Sequence, residues 1–126
     1  MKLLIVDDSS AIRKIIKATA EMLQMETEEA QDGIEALEKL SENNHIDLVL
    51  LDWNMPEISG YDVLVEIKRC SKFSNIPVMM VTTESQKTNI VTAIRAGADN
   101  YLTKPFTSDE LQAKIVECIG EEGEDY

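Results

Sequence analysis

The chain has 126 residues, 24 of them acidic and 12 basic, for a formal net charge of −12. Nucleic acids and anionic membrane surfaces both demand clustered Lys and Arg, so this balance argues against either as a partner. An apolar share of 44% supplies one globular core, while no apolar run approaches the ~20 residues of a membrane span.

The first element is "KLLIVD", a buried strand expected over 2–7 and closed by the adjacent acids Asp7 and Asp8. That opening run is too short for a secretory signal, and the two acids end it without a small-residue cleavage site. A cytoplasmic protein is therefore expected. Ile12, Ile15, Ile16, Thr19, Met22 and Leu23 follow as one helical stripe. The polar segment 26–30 reads as an edge or short strand, and Asp32 with Glu35 marks the next helix start. The lone histidine, His45, falls in the polar connection "SENNHID" and reads as a loop residue.

Residues 46–52, "IDLVLLD", and 77–82, "PVMMVT", are near-continuous apolar runs, as expected of parallel strands covered on both faces. The first ends at Asp52 and the second at Thr82. Between them, Ser59 with Asp62 signals another helix. Gly97 reads as a helix stop before a short strand at 98–102, and "YLTKPF" then carries the chain to Lys104 and Pro105. Thr107 with Glu110 opens a last helix whose stripe is Leu111, Ile115, Cys118 and Ile119. The acidic end at 121–126, "EEGEDY", is expected to fray. Cys70 and Cys118 form no paired spacing and read as reduced packing residues.

Five βα units in succession predict one α/β domain over 1–126, a three-layer (βα)5 sandwich around a parallel five-stranded sheet. Among the doubly wound orders we take the flavodoxin-like 2-1-3-4-5, on precedent rather than by derivation. Its ligand crevice lies beyond the carboxyl ends of strands 1 and 3. Asp7, Asp8 and Asp52 would then meet there. Two unit charges ~4 Å apart repel by about 4 kcal/mol at an effective dielectric near 20, so three carboxylates call for a cation. Hard oxygen donors in an open site suit Mg²⁺. Taken singly, Asp8 reads as a helix N-cap, Asp52 as turn chemistry, Thr82 as a strand former and Lys104 as a surface charge. Their convergence is what gives them chemistry: a hydroxyl and an ammonium beside a metal-carboxylate cluster make a phosphoryl site. The first turn has no glycine-rich phosphate loop, so the phosphate is expected to arrive with a metal and to be accepted by a carboxylate nucleophile.

Asp7-Asp8, Asp52, Thr82 and Lys104-Pro105 together resemble the response-regulator receiver domains of bacteria, over essentially the whole chain. "DWNMP" around Asp52 and "AGADNYLTKPF" at 96–106 are most similar to the stand-alone chemotaxis regulators of that family, and no output domain is expected. The resemblance implies that Asp52 is the phosphoacceptor. It implies that Asp8, Asp52 and the backbone carbonyl of Asn54 bind Mg²⁺ directly, and Asp7 through water. Lys104 is implied to contact the phosphoryl group, and Thr82 and Tyr101 to form the switch. Asn54, Thr83 and Glu84 occupy the positions that tune rates. Thr83 departs from the very small residue usual there, which bears on access to Asp52. The implied partners are a histidine kinase as phosphodonor and a downstream target, the flagellar motor switch being the one that chemotaxis points to. A monomer without separate substrate turnover is expected. Two rivals are a phosphorelay intermediate and a metal-dependent phosphatase with an Asp nucleophile; phosphatases of the haloacid dehalogenase type want a second acid where this chain has Asn54. A phosphorylation-independent structural module would have to keep the full site idle.

Overall fold

Leu48–Leu51 is buried at all four positions, so this strand has no solvent face and must lie inside a sheet covered on both sides. The computed structural model describes residues 1–42 and 45–123, the last three as backbone only; the fraying expected of 121–126 falls outside the described side chains. In chain order the elements are β1 (Lys2–Val6), α1 (Ser10–Met22), β2 (Glu26–Ala30), α2 (Gly33–Glu42), β3 (Leu48–Leu51), α3 (Gly60–Arg69), β4 (Val78–Thr82), α4 (Lys87–Arg95), β5 (Asn100–Thr103) and α5 (Ser108–Gly123). All strand pairs are parallel and the order is β2-β1-β3-β4-β5, as expected. The two more polar strands, β2 and β5, are the two edges, and the glutamates of β2 blunt further pairing on its side.

Strand side chains alternate between two cores. Leu4, Val6, Val49, Leu51, Val78 and Met80 pack with residues of α2, α3 and α4, such as Leu40, Leu64 and Ala93. Leu3, Ile5, Leu48, Leu50, Met79 and Val81 pack with Ile16 and Ala20 of α1 and with Leu111 and Ile115 of α5. The helices are thus split three and two across the sheet.

Two strands, expected from 46 and from 98, begin two residues later, and both show one shared feature. Asp47 Oδ2 accepts the Lys2 N–H at 2.8 Å, and Asp99 Oδ2 accepts the Val78 N–H at 2.8 Å. In each case a carboxylate satisfies the first N–H of the neighbouring strand, a place that a ladder carbonyl would otherwise take. Hence β3 starts at Leu48 and β5 at Asn100.

The helix starts follow the sequence signals. Thr107 and Glu110 form a reciprocal capping box, with Thr107 N–H on Glu110 Oε1 at 2.8 Å and Glu110 N–H on Thr107 Oγ1 at 3.1 Å. Asp32 Oδ1 takes the Glu35 N–H, and Ser59 Oγ takes that of Asp62. Gly97 ends α4 with φ +114°, a conformation that side chains rarely adopt. The α1 stripe is narrower than its apolar residues indicate. Ile16, Thr19 and Ala20 are buried, whereas Ile15 and Met22 are 50% and 66% exposed; the 3.6-residue period carries those two away from the sheet. Among the described residues, no helix is long and apolar enough to cross a membrane.

Candidate functional site

The carboxyl ends of β1, β3, β4 and β5 open on one edge, and each delivers a polar residue there. Asp7 follows β1; its N–H stays bonded to the Ala30 carbonyl at 3.1 Å. Asp52 follows β3; its N–H reaches back to the Val6 carbonyl at 3.0 Å. Both carboxylates are buried, and Asp8 is exposed at the mouth. One oxygen of each of Asp7, Asp8 and Asp52 lies within 4.8 Å of the others.

Lys104, just past β5, neutralises part of this charge. Its Nζ is 2.7 Å from Asp7 Oδ2 and 3.4 Å from Asp52 Oδ2, with only 13% of the side chain exposed. The Lys104–Pro105 peptide is cis, and the Lys104 N–H donates to the Thr82 carbonyl at 2.9 Å. Thr82 is fully buried at the end of β4 and pairs in register with Thr103. The remaining oxygens of the acids are held locally. Asp7 Oδ1 accepts the Ser9 N–H at 2.8 Å, and Asp52 Oδ1 accepts the Asn54 N–H at 3.4 Å.

Three carboxylates face a single ammonium here, two of them largely removed from water. The donor set is all oxygen and the mouth is open on the Asp8 side, which fits a hard divalent cation that keeps part of its water shell. His45 lies exposed in the α2–β3 connection, away from these strand ends.

The N-cap of α1 is Ser9, whose hydroxyl accepts the Ile12 N–H at 3.3 Å. Capping therefore does not occupy Asp8, the alternative that the sequence left open. Trp53 stacks on Tyr61 with centroids 5.5 Å apart, so the residue after Asp52 packs against α3. Asn54 is exposed on the same loop.

Gly60 carries a constraint that sequence reading missed. A Cβ there would stand 1.9 Å from the Asp52 carbonyl oxygen. Only a missing side chain lets α3 start against the backbone of Asp52, with Gly60 N–H on the Trp53 carbonyl at 2.8 Å. The signal available was a glycine directly after a helix-capping serine. Arg13 also escaped notice: its Nη1 donates to the Asp7 carbonyl at 2.6 Å.

Beyond Thr82 the chain links the site to the surface. Thr83 is exposed. The Thr82 hydroxyl accepts the Glu84 N–H at 3.2 Å, and the Glu84 carbonyl accepts the Tyr101 hydroxyl at 2.6 Å. Bonds from the Asn89 side chain and the Gln86 N–H hold the Glu84 carboxyl below its usual range. Burial first, then the charges of Glu84 and Asp52, push the Tyr101 phenol from 10 up to about 12. The folded state thus favours the protonated phenol. Its contribution to stability is complete below about pH 10 and is lost as pH rises through about 12. The stability difference between wild type and Tyr101→Phe, measured by urea unfolding, is accordingly expected to be constant below about pH 10 and to shrink towards 12. A difference that ignores pH across that interval would contradict the phenol's placement.

Comparison with known proteins bears on the whole of this arrangement. Residues 3–116 match the family model of the response regulator receiver domain. The chain is 46% identical over 121 residues to the chemotaxis protein CheY1 of Helicobacter pylori, covering 95% of this chain and 98% of that protein. It is 41% identical to a chemotaxis protein CheY homolog of Campylobacter jejuni, over 95% of this chain and 93% of the relative. Among solved structures, chemotaxis protein CheY4 of Vibrio cholerae superimposes with a TM-score of 0.87 at 31% identity, covering 94% of this chain and 98% of that one. A CheY-like receiver domain protein of Methanospirillum hungatei gives 0.88 at 32%, covering 99% and 98%. Sheet order, strand-end acids and these alignments agree: the chain belongs to the response regulator receiver domain family, and chemotaxis proteins of the CheY type are similar to it over nearly their whole length.

Proposed function

We propose that residues 1–126 act as one receiver domain of two-component signalling, in which Asp52 accepts a phosphoryl group from a histidine kinase in a Mg²⁺-dependent step. The gathering of Asp7, Asp8 and Asp52 at one sheet edge, with Lys104 paired to Asp7 and Asp52, is the observation that carries this reading. In the transfer, an Asp52 carboxylate oxygen forms the new bond to phosphorus. The phosphorus–nitrogen bond of the donor phosphohistidine breaks, and its electron pair stays on the imidazole. The ion would be held by Asp8, Asp52 and the Asn54 backbone carbonyl, with Asp7 acting through water; when bound, Mg²⁺ supplies positive charge opposite the phosphoryl oxygens.

The chain's own groups do the rest. The Lys104 ammonium, now shared between Asp7 and Asp52, turns to a phosphoryl oxygen. The Thr82 hydroxyl donates to another and in doing so loosens its hold on the Glu84 N–H. Because the Glu84 carbonyl also anchors Tyr101, that shift reaches β5 and the faces of α4 and α5, where Val91, Ile94 and Val116 are exposed. Charge-assisted bonds of roughly 1.5–3 kcal/mol each are the right size to bias such a two-state surface. The output reading is chemotaxis, with the flagellar motor switch as target. The site of action is the cytoplasm, and the protein turns over no separate substrate.

Intact mass after incubation with a small acyl phosphate tests this directly. One added phosphoryl group is expected with Mg²⁺ present and none after chelation. Repeated hydrolysis of a generic phosphomonoester instead would favour a phosphatase. Thr83 stands exposed beside the switch threonine, and its bulk is expected to slow entry of the donor. Thr83→Ala should therefore raise the initial phosphorylation rate several-fold, roughly within the 1–2 kcal/mol that small steric changes command. An unchanged or lower rate would remove Thr83 from the entrance.

A further inference from the structure

Arg13 lies in the first turns of α1, and its guanidinium folds back beneath the acidic cluster. Nη1 donates to the Asp7 carbonyl at 2.6 Å, and Nε pairs with Glu29 Oε1 at 2.9 Å. Only 15% of the side chain is exposed. Glu29 sits next to the end of β2, where its own carbonyl accepts from Lys39 of α2. Both peptide groups flanking Asp7 are thereby tied to β2: the N–H directly to Ala30, the C=O through Arg13 to Glu29.

The carbonyl that Arg13 holds belongs to the peptide joining Asp7 to Asp8. That planar unit carries the Cα atoms of both residues, so holding its carbonyl steadies the backbone from which the two carboxylates project. A fixed cation beside an acidic cluster offsets part of its repulsion but opposes a divalent ion, so any gain in Mg²⁺ affinity from Arg13 has to come from holding this peptide in place. A planar fork that makes two directed bonds suits that task, and a lysine ammonium does not.

We propose that Arg13 is a positioning residue for the divalent-cation site: it fixes the Asp7–Asp8 peptide against β2 and so sets how tightly the cluster holds Mg²⁺. This rests on reading Asp7, Asp8 and Asp52 as the Mg²⁺ site. The test is a Mg²⁺ titration of wild type, Arg13→Gln and Arg13→Lys, followed by calorimetry and by Trp53 emission, with circular dichroism to establish folding. Arg13→Gln removes a positive charge, so electrostatics alone predicts tighter binding. Positioning predicts the reverse, a midpoint raised roughly tenfold or more, as for other groups that orient metal ligands. Arg13→Lys keeps the charge but loses the fork, and its midpoint is expected to rise as well. It decides the matter if Arg13→Gln does not fold. A wild type that binds Mg²⁺ while the folded variant binds equally well or more tightly overturns this inference alone. A wild type that shows no binding overturns it together with the metal-site reading.

Discussion

Asp52→Asn is expected to leave the fold intact and to abolish covalent phosphoryl uptake. The change replaces one buried oxygen by an amide nitrogen of nearly equal size, so the β3 end and its bond to Val6 need not move. What is lost is the proposed nucleophile. Amide oxygen attacks phosphorus poorly, and removing a nucleophile costs at least roughly a thousandfold in rate. The same change removes one of three carboxylates from the cluster. Saturating Mg²⁺ at ~100 times its dissociation constant stabilises a folded protein by about 2.7 kcal/mol, and that increment should shrink in the variant. Mass spectrometry and Mg²⁺-dependent melting read the two effects separately. Phosphorylation of the variant at the wild-type rate would remove Asp52 from the chemistry.

Gly60→Ala carries the second large effect, this time through structure. The added methyl would meet the Asp52 carbonyl oxygen at 1.9 Å, its carbon at 2.7 Å and Trp53 Cα at 2.8 Å. All three are backbone atoms, so no rotamer relieves the overlap. Overpacking typically costs ~1–3 kcal/mol where side chains can adjust; here α3 must withdraw and give up the Gly60–Trp53 bond. A fall in melting temperature of about 10 °C or more is expected. Phosphorylation should fall too, although every polar residue of the site is still present. A variant that melts and phosphorylates like wild type would mean that α3 does not abut Asp52.

The fold was legible because its strongest signals are one-dimensional. Runs such as "LVLL" and "VMMVT" cannot alternate, so they had to be covered on both faces. Parallel strands joined by right-handed crossovers then bring Asp7, Asp52, Thr82 and Lys104 to one edge. What escaped depends on three-dimensional neighbours. Asp47 and Asp99 shorten their strands by bonding N–H groups 45 and 21 residues away. Ile15 and Met22 are apolar yet exposed, because α1 buries a narrower arc than its composition indicates. Gly60 matters only because α3 runs into the backbone of Asp52, and Arg13 only because Glu29 of β2 waits beside Asp7. Each of those is a fact about packing between elements, which periodicity and spacing do not encode.

The most direct measurement locates the acyl phosphate itself. The protein is loaded from a small phosphodonor with Mg²⁺ and reduced with borohydride, which turns an aspartyl phosphate into homoserine; the product is then mapped by peptide mass spectrometry. Homoserine at position 52, absent after chelation, is the expected result. Homoserine in place of Asp7, or at no position, would contradict the claim that these strand ends gather to make Asp52 the acceptor.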